Sequence, residues 1–348
     1  MKKELLMGTA LVSTLGAASV AEAVTATMSG NHQTGLEFDS PTGGTDTNAQ
    51  INDNNFTVSL SETTDGGMTI SSSFKVMDEN TKEDYDAGFT LAFTDGSKLD
   101  VLNAGNASSS HAVSVPGSAG SEGVANTSTN QAPTGLDFMN SSTAFGIEYH
   151  TAADFLADGL SVSFSSSTDT GAAATATYRV DSHVAVGATY VTDLGDTALT
   201  IGAGYSAADG SKAGNGVAVN NDNGGVHIGV SAVTGDLTVA VGFADGEKAG
   251  LTDNGSDEMT AEVVKAGVKY VTGDLTFNVG IASGEADDTT IGGSYGADDS
   301  QDVTSASVSY AVASGVTAIL GYTSTDSSDE GLTTDDGSAW YIGANMAF

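Results

Sequence analysis

The chain of 348 residues has no cysteine, which excludes disulfide frameworks, thiol catalysis and zinc–thiolate sites. Proline is nearly absent, at 3 residues, and Arg179 is the sole arginine. Lysine and arginine together number 10 against 45 acids, a formal charge of −35. A surface so short of bases cannot track a phosphate backbone, so nucleic acid is excluded as a partner. Past the first two dozen positions, no run approaches the roughly 18 apolar residues that a membrane helix requires. Any passage through a bilayer must therefore be made by strands closed into a barrel. Helical periodicity built on leucine is missing too. What is present is glycine, 45 residues of it, with abundant Thr, Ser, Val and Asp. This is the composition of an all-β chain, long enough for one large β domain.

The start of the sequence reads as an export signal. Lys2 and Lys3 precede a weakly apolar stretch, Leu5–Val20, and Ala21-Glu22-Ala23 has the small-x-small form of a cleavage site. Residues 1–23 are thus expected to be a signal peptide and 24–348 the mature domain. A membrane anchor is the other reading, but the segment is short and no stop-transfer charges follow. Cleavage removes two lysines and two glutamates, so the net charge is unchanged.

One pattern recurs through the rest of the chain. In "LTVAVGFA", Leu237, Val239, Val241 and Phe243 alternate with Thr238, Ala240, Gly242 and Ala244. "LTFNVGIAS" sets Leu275, Phe277, Val279 and Ile281 against Thr276, Asn278, Gly280 and Ala282. "AFGIEYH" sets Phe145, Ile147 and Tyr149 against Gly146, Glu148 and His150, and "VTAILGYT" repeats the theme through Leu320 and Tyr322. Such period-2 alternation marks strands between two different surroundings. The segments approach the about 9–11 residues of a tilted membrane-crossing strand. Connectors alternate between short turns, such as Thr94-Asp95-Gly96 and Thr234-Gly235-Asp236, and long polar loops. The long ones are placed at Asp39–Gln50, Asp78–Asp86, Asn106–Asn140, Ala207–Gly225, Asp245–Asp257, Gly284–Gln301 and Ser324–Asp336. All three prolines, Pro41, Pro116 and Pro133, then fall in loops, where no ladder hydrogen bond is lost. A weak internal repeat, "VTGDLT" at Val233–Thr238 and Val271–Thr276, agrees with a succession of like hairpins.

The strand count turns on "TYRVDSHVAVGATYV". Cutting it at Asp181-Ser182 gives a tight hairpin and seventeen strands, an odd number that breaks the short–long order. Yet Tyr178, Val180, Ser182, Val184, Val186, Ala188 and Tyr190 share one face without interruption, while Arg179, Asp181, His183 and Gly187 share the other. Read as one strand, it restores sixteen, and its two tyrosines lie about 28 Å apart along the axis, close to the roughly 25 Å between aromatic girdles. The hairpin is the alternative. The apolar set must face outward, because an inner set of Gly, Ala, Ser and Thr with scattered charges cannot fill a core that wide but suits a water-filled lumen. The fold class expected is all-β, a transmembrane antiparallel barrel.

These strands, the long loop after the fifth of them and the aromatic ending "SAWYIGANMAF" resemble the bacterial outer-membrane general porins. The start "MKKELLMGTALVSTLGAASVAEAVTATMSG" and "FTVSLSETTDGGMTISSSFKV" look most like their alphaproteobacterial branch. The resemblance implies a homotrimer of 16-stranded barrels that passes small hydrophilic solutes by diffusion, without a cofactor. It implies a C-terminal aromatic, here Phe348, read by the barrel assembly machinery, and a third loop, here Asn106–Asn140, folded into the lumen. It also implies constriction acids on that loop, Glu122 and Asp137, facing wall bases, for which Lys75, Lys98 and Arg179 stand at inner positions. So few bases departs from the family's arginine-rich wall and puts a strong transverse field in doubt. Lys265 and Lys269 also alternate inward. Tyr178, Tyr190, Tyr322 and Trp340 are the expected aromatic belt.

Other chemistry finds little support. His32, His111, His150, His183 and His227 stand at no ligand spacing, and the Gly202-x-Gly204 pair lies inside a strand rather than a phosphate loop. "GGSYGADD" resembles a calcium-binding turn but is not repeated. The acidic loops, notably Asp253, Asp257 and Glu258, offer oxygen donors of the kind Ca2+ takes, which could knit loops to lipopolysaccharide; a solvated acidic rim is the simpler reading. No ordered Ser/His/Asp set marks an enzyme. Two other functions stay open. A substrate-specific channel would need an aromatic ladder or dense charge track in the lumen. A surface adhesin would lack the outward apolar band and the terminal aromatic.

Overall fold

A computed structural model describes residues 24–78, 81–82, 88–102, 106–117, 146–168, 179–214, 217–220, 222–249, 258–288, 299–328 and 336–348. Residues 1–23, read above as a signal peptide, lie outside them. The chain forms sixteen antiparallel strands. The first half comprises β1 (Thr25–Pro41), β2 (Thr47–Thr63), β3 (Thr69–Asp78), β4 (Thr81–Lys82 and Phe89–Ala92), β5 (Lys98–Val101), β6 (Gly146–His150), β7 (Leu160–Thr168) and β8 (Arg179–Leu194). The second half comprises β9 (Thr197–Gly214), β10 (Val217–Asn220 and Asn223–Thr234), β11 (Leu237–Ala249), β12 (Glu258–Thr272), β13 (Leu275–Asp288), β14 (Asp299–Ala313), β15 (Val316–Ser328) and β16 (Gly337–Ala347). Each pairs with its chain neighbour, and β1 pairs with β16 from Asn31↔Ala347 to Pro41↔Gly337. That last pairing closes the barrel and leaves no free sheet edge, which is what lets a sheet sit in lipid.

The alternation places the faces as the sequence predicts. Val241, Val279, Ile281 and Ile342 point outward and are about half exposed, while their neighbours Ala240, Ala282 and Tyr341 are buried. Trp340, Tyr322 and Phe38 lie together at one level of the outer face, with Trp340 and Tyr322 rings 4.6 Å apart. Tyr190, Tyr270 and Tyr310 mark the other level, near the short turns. Those turns are tight because glycine takes left-handed backbone in them, at φ 56° for Gly235 and 59° for Gly273. The segment around Asp181-Ser182 continues as one strand, β8, with a register shift that leaves Asp181 unpaired against β9, so the single-strand reading holds and the hairpin does not.

Strand ends differ from expectation. β1 continues to Pro41 and β2 begins at Thr47, so the loop placed at Asp39–Gln50 is mostly hairpin. β9 likewise runs to Gly214, through the stretch placed in a loop at Ala207–Gly225. Above the membrane both faces of a strand are wet, so the alternation fades while the backbone ladder goes on. Pro41 is tolerated because it is the terminal residue of its strand. Part of the acidity assigned to loops also sits on these extensions: Asp245, Glu262 and Glu285 are register partners on β11, β12 and β13 and face outward above the apolar band.

Candidate functional site: the lumen and its third loop

The loop between β5 and β6 enters the barrel. Its described part, residues 106–117, begins with Asn106, whose side-chain carbonyl accepts from Ser108 N–H at 2.9 Å and starts a 3-10 turn at Ser109–His111. The turn is tied to the wall by side chains from four strands. Ala107 N–H donates to Ser165 Oγ on β7 at 3.0 Å, and Ser110 Oγ donates to Glu148 Oε1 on β6 at 2.7 Å. His227 Nε2 on β10 donates to the Ser108 carbonyl at 2.7 Å, and Asn106 Nδ2 donates to His183 Nε2 on β8 at 3.3 Å. The His111 ring sits between Ser163 and Thr189, with both hydroxyls 2.7 Å from its nitrogens. Burial, then the imidazoles of His150 and His227, hold the His111 pKa below its ordinary value.

Beyond the turn the backbone lies along a row of inward-facing glycines. A Cβ on Gly187 of β8 would strike the Ala107 carbonyl, and one on Gly202 of β9 the His111 carbonyl. On Gly229 of β10 it would come within 2.7 Å of Val113. On Gly267 of β12 and Gly280 of β13 it would collide with the Pro116 and Gly117 backbones. Register links these seats: Gly202 pairs with Gly229, Gly229 with Gly242, and Gly267 with Gly280. The glycines therefore form a groove across the wall, and the loop fills it. Sequence reading had taken them as small lumen-lining residues. The available signal was glycine recurring at one level on successive strands.

The expected site residues fall in several places. Glu122, Asp137, Tyr178, Asp253 and Asp257 lie outside the described residues. Lys75 on β3 faces the lumen by register with Thr57, half the circumference away from the groove's centre on β11. Lys98 faces inward at the short-turn end of β5, and Lys265 and Lys269 do so on β12. Arg179 is the first residue of β8, at its long-loop end, and Glu258 is the first of β12. Phe348 follows β16 and exchanges two backbone hydrogen bonds with Gly30, at 3.1 and 3.0 Å, while its ring stacks on Phe56 at 6.2 Å. The inner wall also carries acids that the sequence reading did not single out: Glu37 and Asp39 on β1, Asp53 on β2, and Asp100 and Glu148 beside His150.

A closed sixteen-strand barrel, greasy outside and polar inside, with a loop packed along its inner wall, is a wall around water rather than a core. The sequence model of Gram-negative porins matches residues 8–330. The chain belongs to the Gram-negative porin family. Solved structures agree on the fold. OmpT of Vibrio cholerae, folded in vitro, superposes at TM-score 0.66 with 16% identity, covering 94% of this chain and 98% of that one. The anion-selective porin of Comamonas acidovorans superposes at 0.64 with 13% identity, covering 93% and 100%. A trimer form of Vibrio cholerae OmpT gives 0.63 with 14% identity over 94% and 100%. A search of curated protein sequences finds no significant match. The porin is an outer-membrane channel, not an enzyme. The match is to the family as a whole and selects no branch of it.

Proposed function

We propose that this porin passes small hydrophilic solutes and ions by passive diffusion, with a mild preference for cations. The observation that carries the reading is a closed barrel with a polar inner face, along which residues 106–117 are packed. Among the described residues the bore shows neither the aromatic ladder nor the dense charge track of a substrate-specific channel. Among the described strand residues, the inward-facing aromatic is Tyr341, and it is buried against Gly35 and Gly343. For charge, inward Glu37, Asp39, Asp53, Asp100 and Glu148 are set against Lys75, Lys98, Lys265 and Lys269. Signs so nearly balanced give a weak field, and the acidic mouth tips it toward cations. Exposed charge acts only within a Debye length of about 10 Å at 0.1 M salt, so the preference should shrink as salt rises. The zero-current potential of a planar bilayer under a KCl gradient tests this. A cation-selective sign is expected at low salt, and Lys75→Gln should enlarge it. An anion-selective sign would refute the charge argument.

A homotrimer fits one region of the outer face. His32 and Thr34 on β1 pair in register with Asn54 and Asn52 on β2, and all four point outward. His32 Nδ1 lies 2.6 Å from Asn54 Oδ1, and Thr34 Oγ1 donates to Asn52 Oδ1 at 2.8 Å. They lie between the Phe348–Phe56 level and the Phe38–Trp340 level, mid-band, where other strands carry Val, Ile and Leu. Polar side chains at that depth fit better against protein than against hydrocarbon. Changing Thr34 and Asn52 together to Leu should lower the temperature at which trimers dissociate on a gel, if β1 and β2 meet a second subunit. A raised or unchanged temperature would put these strands against lipid.

A further inference from the structure

Asp100 on β5 and Glu148 and His150 on β6 stand side by side on the lumen face, below the third-loop turn. Their donor atoms all lie within 4.8 Å of one another. His150 Nε2 is 2.9 Å from Asp100 Oδ2 and 3.7 Å from Glu148 Oε1. Ligand atoms around a tetrahedral zinc ion sit about 3.3 Å apart, given bonds near 2.0–2.2 Å. Small side-chain rotations would bring this set to that spacing. We infer that Asp100, Glu148 and His150 form a binding site for one divalent cation of the zinc class, its fourth position open to lumen water.

Charge points to a cation. The two carboxylates share one imidazole, and among the described residues both ion pairs they make are with His150. Among the described residues, Lys98, the register partner of His150, makes no ion pair with either carboxylate. A proton on His150 therefore still leaves excess negative charge, and Glu148 holds its share at 2% exposure. A buried carboxylate without a full countercharge is costly, and a dication removes that cost. The donor set chooses the class. One imidazole nitrogen with two carboxylate oxygens suits zinc and its first-row neighbours, whereas magnesium and calcium take oxygen alone.

Each ligand is also held from behind, as in built metal sites. Thr90 Oγ1 donates to Asp100 Oδ1, and Ser110 Oγ donates to Glu148. Ser163 Oγ lies 2.8 Å from His150 Nδ1, leaving Nε2 for the ion. To bind the ion, Nε2 must present the lone pair of a neutral imidazole whose proton sits on Nδ1 and is donated to Ser163 Oγ; a proton on Nε2 would move to Nδ1, or leave to solvent from the imidazolium. The site is reachable, since the His150 and Asp100 side chains are 26% and 16% exposed.

The test is calorimetric titration of the full mature chain in detergent with ZnCl2. Saturable binding of one ion per chain is expected, without competition from equimolar Mg2+. His150→Gln should weaken it roughly a hundredfold, and Thr90→Val, which holds Asp100 from outside, roughly ten- to hundredfold. Substituting buried Glu148 puts folding at risk, so these two variants carry the test. An unchanged zinc isotherm in His150→Gln, as binding by the acidic loops would give, overturns the assignment, as does a wild type that never saturates. Binding is read without current, so it stands or falls separately from the diffusion pore. In a bilayer, zinc should shift the zero-current potential toward anions for the wild type and leave His150→Gln unmoved.

Discussion

Removing Phe348 should lower the amount of assembled barrel in the outer membrane about tenfold or more, while the chain is still exported. The residue closes the ring. Its two backbone hydrogen bonds to Gly30 continue the β1–β16 ladder past Ala347, and its ring covers Gly30 and stacks on Phe56. Those contacts together are worth about 2–4 kcal/mol, and about 1.4 kcal/mol is a factor of ten in an equilibrium. The loss falls at the one seam joining the chain's two ends, where no hairpin turn holds the partners together. If the assembly machinery also reads this residue, as the porin resemblance implies, the effect grows further. Quantitative blotting of outer-membrane and periplasmic fractions would measure it. Normal outer-membrane levels of the truncated chain would refute the role, and Phe348→Tyr, which keeps the ring and the backbone, should assemble nearly normally.

Gly267→Leu should change conduction rather than assembly. Its side chain would occupy the space of the Pro116 backbone, so the loop must lift from the groove at that point. Overpacking of this kind costs about 1–3 kcal/mol, and the loop, held on its far side by single hydrogen bonds, yields more readily than the wall. Single-channel conductance in a planar bilayer should rise by roughly a factor of two as the bore widens, with noisier open current. Ala266→Leu, one position along but on the outward face, is the control and should leave conductance unchanged. Equal conductance in Gly267→Leu and the wild type would mean that residues 106–117 do not set the narrow point.

What the sequence made legible was whatever two solvents write into a strand. Where one face meets lipid and the other water, as at Leu237–Ala244, the alternation is strict and orientation follows from it. The same rule settled β8, whose unbroken run through Asp181-Ser182 gave the strand count. Where water lies on both sides, as along Ala207–Gly214, the rule is silent, and the strands proved longer than the pattern. The lumen was harder to read. Asp100 and His150 are fifty positions apart and meet only because β5 and β6 pair across the third loop. His111 and His227 converge for the same reason: the loop carries one of them back to a wall built later in the chain. No spacing rule along the sequence could bring such groups together. Parity alone decides which face a wall lysine takes, and facing inward does not put a charge at the narrowest point.

The groove also dictates an order of events in folding. Residues 106–117 are made early, yet their seats come from β8 through β13, ending with Gly280. Its Val113–Gly117 end has nowhere to lie until strands more than a hundred positions later have joined the sheet, and contacts that distant form slowly. A partly built barrel must therefore hold the Val113–Gly117 end undocked, even though Ser110 and His111 already find their partners on β6 to β8. Docking then comes near the end, and the passage narrows only once the wall around it exists. A protease acting during assembly would find its cleavage sites here, and would lose them as the last groove strands arrive.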